Sequence, residues 1–156
     1  MTALAISPSA ATPRRIASDI LGPLEATEDG LLTFPRGVLG FPECRQFLLL
    51  ASAHDGIYWL QSTEFSALTF VLADPFQYVP EYAVDLGVGL RQELQAEQAG
   101  DVAIFSIVTL AAEPTASPTM NLQGPLLVNT RLRRGVQHVI AESSWGVATP
   151  FALAAG

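Results

Sequence analysis

The chain has 156 residues, of which 49% are hydrophobic and 15% are charged, and its formal net charge at pH 7 is −7. A chain of this length and composition can bury a core of its own as one domain, which excludes a disordered protein and a small fold that depends on disulfides or metal. The acidic balance disfavours direct binding to a phosphate backbone, which needs clustered Lys and Arg, and favours a basic partner instead.

The N-terminal residues 1–22 are rich in Ala, Ser, Thr and Pro, so we predict a mobile arm there. Without that arm, the eight basic and fifteen acidic residues become six and fourteen, a net charge of −8. Residues 23–151 are predicted to form a single domain and residues 152–156 a loose tail. Since neither a secretion signal nor an apolar run of membrane-spanning length is evident, we expect a cytoplasmic protein without membrane contact.

Two strands are predicted in the first third of that domain. Residues 31–34 follow a turn signal and read as a short strand. Residues 46–51 contain an unbroken apolar run, FLLLA, which predicts a strand that is buried on both faces or lies in a barrel wall. Phe41, Cys44 and Phe47 recur at a spacing that allows one or two helical turns, with Phe41 in the core.

The next two strands are predicted at residues 57–62 and 68–73, joined by a loop of hairpin length. The second strand should stop at Asp74, which precedes a proline and can cap a turn. We assign Trp59 and Phe76 mainly to the core.

The segment that follows, residues 77–85, mixes aromatic and acidic side chains and is predicted to be partly exposed. Such a loop offers apolar anchors and charge complementarity to a partner, so we take Tyr78, Glu81, Tyr82 and Asp85 as contact candidates.

A single helix is predicted next, because Leu86, Leu90 and Leu94 recur every four residues. Its regular part should start near Leu90 and stop at Gly100. A long strand is predicted at residues 102–111, followed by a proline-containing loop at 113–118.

Residues 119–142 predict a β-hairpin, with apolar runs at 125–128 and 136–140 joined by residues 129–135. Asn121 and Asn129 are predicted to tie down backbone at strand ends. Residues 145–151 can add a last strand.

Seven or eight short strands, few helices and frequent turn signals predict a mainly β protein, a small closed or nearly closed antiparallel β-barrel with one or two short helices. Periodicity alone does not separate a barrel from a sandwich.

Catalytic and metal-binding patterns are not evident in the sequence. Cys44 is the lone cysteine and reads as an inert thiol, and neither His54 nor His138 is spaced to pair with a second ligand. We therefore expect no catalytic residue, no cofactor and no metal site.

Several motifs follow one another in order between about residues 31 and 151. They are residues 34–41, residues 58–62, Phe70, residues 74–76, Tyr82, residues 121–129 and residues 135–140. Together they resemble the motifs of the flagellar assembly factor family FliW. The resemblance implies a compact β-barrel with short outer helices. It also implies a non-enzymatic regulator, a monomer when free, that binds the translational repressor CsrA and, in competition with it, the flagellin subunit.

The resemblance also marks polar positions for partner binding. Asn121, Asn129 and Gln137 join the four contact candidates above on that ground, while the loop with Arg131, Arg133 and Arg134 forms a local basic patch. The alternative function is a ligand-binding or enzymatic β-barrel with a polar mouth. A cavity inside the barrel would favour this alternative, and a filled interior would favour the regulator.

Overall fold

The strands and helices of the protein were located in a computed structural model, which describes residues 13–38, 40–141 and 143–153. The strands are β1 (Arg14–Ile16), β2 (Leu24–Ala26), β3 (Leu31–Thr33), β4 (Gln46–Ala51), β5 (Ile57–Ser62), β6 (Thr69–Ala73), β7 (Val102–Thr109), β8 (Thr119–Met120), β9 (Leu126–Asn129), β10 (Arg134–Gln137) and β11 (Thr149–Pro150). The α-helices are α1 (Pro75–Tyr78) and α2 (Val88–Leu94), and 3-10 turns lie at Glu28–Gly30 and Ala99–Asp101.

Seven of these strands close into a barrel. The hydrogen-bonded order runs β7-β6-β5-β4-β3-β10-β9, and β9 pairs with the first half of β7 to complete the ring. Every pair in the ring is antiparallel except β3–β10, where Thr33 and Arg134 meet in parallel. The predicted mainly β, closed barrel with short helices is confirmed, with this one parallel contact as an exception.

The barrel interior is filled by side chains from alternate positions of its strands. Phe34 and Phe47 meet edge to face at 5.7 Å in this interior, where Leu60, Leu72 and Phe105 also lie. Gly135 on β10 leaves room for them, since a Cβ there would lie 2.5 Å from Cε2 of Phe34. The interior is therefore a packed core rather than a ligand chamber.

The N-terminal hairpin covers one outer face of the barrel. β1 pairs with β2, and Ile16, which is only 4% exposed, packs with Ala26 against Leu31 and Leu48. This corrects the predicted mobile arm for residues 13–22. The rest of that arm, residues 1–12, and residues 154–156 of the predicted tail lie outside the described residues.

Two further outer faces are covered by segments from later in the chain. The segment after β6, the turn after β8 and the C-terminal segment pack Tyr82, Leu122 and Phe151 over β5, β6 and β7. Helix α2 places Leu94 against Leu127 and Val136 of the β9–β10 hairpin. Apolar residues on the outside of the wall are thus buried as well, which explains why several strands lack a clear alternation.

Two predicted helical features are wrong. Residues 41–44 form a turn, closed by the Cys44 N–H donating to the Phe41 carbonyl oxygen at 3.1 Å, and Phe41 is exposed rather than a core residue. Helix α2 starts at Val88 and ends at Leu94, and the next residue, Gln95, caps it with a left-handed φ of 56°, so Gly100 does not stop the helix.

The predicted C-terminal hairpin is confirmed with a shorter connection. Asn129 pairs with Arg134, so the strands reach further toward the loop than predicted and only residues 130–133 form the loop, whereas β10 ends at Gln137 rather than at residue 140. The last strand is also shorter than predicted, since β11 has two residues and pairs with β8.

Candidate functional site

The segment at residues 74–85, called the acidic segment below, leaves the barrel wall at the end of β6. Asp74 caps α1, its Oδ1 accepting the Phe76 N–H at 3.0 Å, and Pro75 occupies the first helical turn. This short helix turns the Phe76 ring outward, where it is 40% exposed. The assignment of Phe76 to the core is therefore wrong, whereas Trp59 is partly buried.

Negative charge is concentrated around the acidic segment. Tyr78 donates from its hydroxyl to the Asp55 carbonyl oxygen at 3.3 Å, which joins the segment to the β4–β5 turn. Burial, followed by the negative charges of Asp55 and Asp74, raises the pKa of the Tyr78 phenol. Glu81 and Asp85 are exposed further along the segment.

None of these carboxylates has an ionic partner within the part of the chain that the structure describes. The two ion pairs found there, Arg36–Glu93 and Arg133–Asp29, involve other residues. An acidic surface without internal counter-charges keeps its field available for a basic partner.

Tyr82, which was named as a contact candidate in a partly exposed segment, is buried. It is 3% exposed, its hydroxyl donates to the Leu122 carbonyl oxygen at 2.7 Å, and its ring packs on Trp145 at 5.0 Å. Burial raises its pKa to about 12. The expected exposure of Tyr82 is therefore wrong, and this residue fixes the segment to the barrel.

Asn129 is also fully buried, with 0% of its surface exposed. Its Nδ2 donates to the Leu94 and Gln95 carbonyl oxygens at 3.0 and 3.2 Å. Its Oδ1 accepts the N–H groups of Arg131 and Leu132 at 3.0 and 3.1 Å. The prediction that Asn129 ties down backbone is confirmed, and the side chain joins the hairpin loop to the end of α2.

Asn121 and Gln137 come together at Gly124. Asn121 Oδ1 accepts the Gln123 and Gly124 N–H groups at 3.1 and 2.9 Å, as predicted for a residue that ties down backbone. Gln137 Nε2 donates to the Gly124 carbonyl oxygen at 2.9 Å. Both side chains are partly buried, so the structure does not bring them into the acidic segment.

Part of the basic loop is engaged within the chain. Arg134 Nε donates to the Glu93 carbonyl oxygen at 3.0 Å, and Arg133 lies 3.8 Å from Asp29. Two of the three arginines of this patch thus hold neighbouring elements.

A groove of about 480 Å³, called the mouth groove below, was not found by sequence reasoning. It lies at the end of the barrel where β5 begins and β6 ends, beside the acidic segment. Its lining residues are Tyr58, Asp74, Phe76, Leu86, Ala99, Val102, Ala103, Ile104 and Phe105. They come from five separate stretches of the chain, and no pattern in the sequence indicated that these stretches meet.

Other reactive groups offer little chemistry. Cys44 is buried, and burial, followed by Glu43 and Glu64, raises the pKa of its thiol, which disfavours the thiolate. Among the described residues, no three His, Cys, Asp or Glu side chains converge as metal ligands. Within the same residues, helices are too short or too polar to span a bilayer.

Comparisons with known proteins agree on one family. Residues 15–151 match the sequence model of a family described as FliW protein. A protein named flagellar assembly factor FliW from Exiguobacterium sp. is 37% identical over 129 residues, covering 82% of this chain and 88% of that protein. A protein of the same name from Geobacillus kaustophilus is 36% identical over 131 residues, covering 84% of this chain and 90% of that protein.

A solved structure is similar as well. It is described as the crystal structure of the flagellar assembly factor FliW, with a TM-score of 0.81 and 34% sequence identity, and the match covers 88% of this chain and 96% of that chain. The family match starts within β1, so it includes most of a strand that was predicted to belong to the mobile arm.

Proposed function

The chain belongs to the FliW family of flagellar assembly factors, and we propose that it acts by binding the translational repressor CsrA and, in competition with it, the flagellin subunit. Free flagellin would then displace CsrA, which silences further flagellin translation. In this proposal the protein is a cytoplasmic regulator rather than an enzyme.

The observation that carries the proposal is the acidic segment without internal counter-charges. The net charge of residues 23–156 is −8, and CsrA is expected to hold RNA through a basic surface. An acidic domain that docks beside this surface is attracted to it, and it also repels an approaching phosphate backbone. One charge distribution thus accounts for both binding and antagonism.

Direct contacts are assigned to the exposed members of the acidic segment. Glu81 and Asp85 supply charge, and the partly buried Tyr78 supplies an aromatic anchor. The buried Tyr82 contributes indirectly, because its hydrogen bond to Leu122 holds the backbone that presents these contacts. The buried Asn129 has a structural role elsewhere, at the end of α2 and the hairpin loop. Asn121 and Gln137 hold the turn around Gly124, away from the acidic segment.

The filled barrel interior supports a regulator over a ligand-binding or enzymatic barrel. A barrel that binds a small molecule needs an enclosed space lined by strand residues. Here Phe34, Phe47 and Phe105 occupy that space with neighbouring leucines. Because the interior is filled, we assign partner recognition to the surface of the protein.

Calorimetric titration tests the proposal. The protein should bind purified CsrA with measurable heat, and flagellin added to the complex should displace CsrA. Failure to detect a complex with either protein at about 50 µM, a concentration that reveals affinities down to the micromolar range, would contradict the proposal.

A further inference from the structure

The mouth groove presents an apolar floor that no other part of the described residues covers. Phe105 and Tyr58 pack edge to face at 5.3 Å in its wall, and Phe76 is exposed at its rim. Its volume of about 480 Å³ lies within the range of sites that enclose a ligand's apolar groups. Open apolar concavities of this kind on a folded domain mark sites of interaction.

Charge at the groove has one sign. Asp74 is the charged residue in its lining, and Asp85 and Asp101 directly adjoin the lining residues Leu86 and Val102 in the chain. The described lining contains no Arg, Lys or His. An occupant therefore has to combine apolar side chains for the floor with positive charge beside them for the rim.

We propose that the mouth groove binds a short amphipathic segment of a partner protein, in which Lys or Arg flanks the apolar residues. Helical segments that dock in grooves present apolar residues at positions i, i+3 and i+4, which match a concave apolar floor with charges along its edge. This inference rests on the proposed function and deepens it. It assigns part of the partner's contact to the groove rather than to surface charge alone.

Ala99 provides a way to close the groove without disturbing the core. It is exposed, it starts the 3-10 turn before β7, and it lines the groove. Ala99→Trp places an indole over the floor and leaves the net charge unchanged. The matched control is Ala67→Trp, since Ala67 is also exposed and lines an apolar groove of about 430 Å³ at the other end of β5 and β6.

The probe is a synthetic amphipathic peptide of Leu and Lys, about 14 residues long, or roughly four turns of helix. Its affinity for the full chain is measured by fluorescence anisotropy. Two control peptides replace either every Leu by Ser or every Lys by Glu. Thermal unfolding of each protein variant verifies that the fold is retained.

The unmodified chain and Ala67→Trp should bind the probe equally, whereas Ala99→Trp should bind it at least about tenfold more weakly. Both control peptides should fail to bind. The proposal is wrong if the unmodified chain does not bind the probe, if Ala99→Trp binds it normally, or if both tryptophan variants lose affinity alike. Since CsrA is absent, this assay can fail or succeed independently of the calorimetric titration above.

Discussion

Replacement of Asn129 by alanine should destabilise the fold without removing a partner contact. The side chain makes four hydrogen bonds, two to carbonyl oxygens at the end of α2 and two from N–H groups of the hairpin loop. It is completely buried, so water cannot replace it. At a net value of about 1 kcal/mol for each bond, the loss should be on the order of 3 to 4 kcal/mol.

Thermal and urea unfolding measure this loss. For a chain of this length, 1 kcal/mol shifts the melting temperature by about 2 to 4 °C, so Asn129→Ala should melt roughly 10 °C lower. Asn121→Ala is the matched control, because Asn121 makes two such bonds and is partly buried. It should lose about 1 to 2 kcal/mol.

Below its melting temperature, Asn129→Ala should still bind CsrA with an affinity within about twofold of the unmodified chain. A stability loss under about 1 kcal/mol would refute the assigned structural role. Loss of CsrA binding by a variant of normal stability would show that Asn129 is a contact residue instead.

Three further substitutions test other parts of the structure. Tyr82→Phe removes the hydrogen bond to Leu122, so stability at pH 7 should fall by about 1 kcal/mol. Because the folded pKa of Tyr82 is raised to about 12, its ionisation should lower the free energy of unfolding of the unmodified chain by about 2 to 3 kcal/mol between pH 10 and 12. The variant should show a smaller decline in urea titrations over the same pH range, and equal declines would contradict the assigned burial of Tyr82. Gly135→Ala places a methyl group against the Phe34 ring and should cost about 1 to 3 kcal/mol, whereas an unchanged urea midpoint would show that the ring has room to move. Ile16→Ala should cost about 2 to 3 kcal/mol by the same measurement, while a loss below about 0.5 kcal/mol would be expected of a mobile arm.

Strands with local signals were predicted well. Residues 57–62 were predicted and observed as the same strand, because β-branched and aromatic residues lie between two turn signals. The C-terminal hairpin was found for the same reason. The helix at Asp74 was missed, although the Asp-Pro pair carries both a cap and a first-turn proline, because four residues are too few to show a period.

Features that depend on distant contacts were not predicted. β1 is only three residues long, and its order comes from Ile16 packing on Leu31 and Leu48, which no local pattern reveals. Closure through the parallel contact of Thr33 with Arg134 joins residues a hundred positions apart.

The candidate site shows the same limit. Composition correctly placed Glu81 and Asp85 at the surface, because charged side chains are rarely buried without a partner. It wrongly placed Tyr82 at the surface as well. The hydroxyl of Tyr82 donates to the Leu122 carbonyl oxygen, forty residues away in the chain, and no local pattern reveals that contact. The mouth groove depends on how five stretches meet, so it was visible only in the folded chain.

The central claim, that the acidic segment recognises CsrA, is tested most directly by the association rate in stopped-flow mixing. The double variant Glu81→Lys and Asp85→Lys should associate at least about fivefold more slowly at low ionic strength. The control, Glu25→Lys with Glu43→Lys, has the same net charge and alters exposed carboxylates away from the segment.

The association rate of the unmodified chain with CsrA should fall as salt rises, because the Debye length is already about 8 Å at 0.15 M ionic strength. The difference in association rate between the unmodified chain and the double variant should shrink over the same range. The control should associate at a rate closer to that of the unmodified chain. Equal slowing of both double variants would mean that only net charge matters, and a rate that none of these changes affects would contradict recognition of CsrA by the acidic segment.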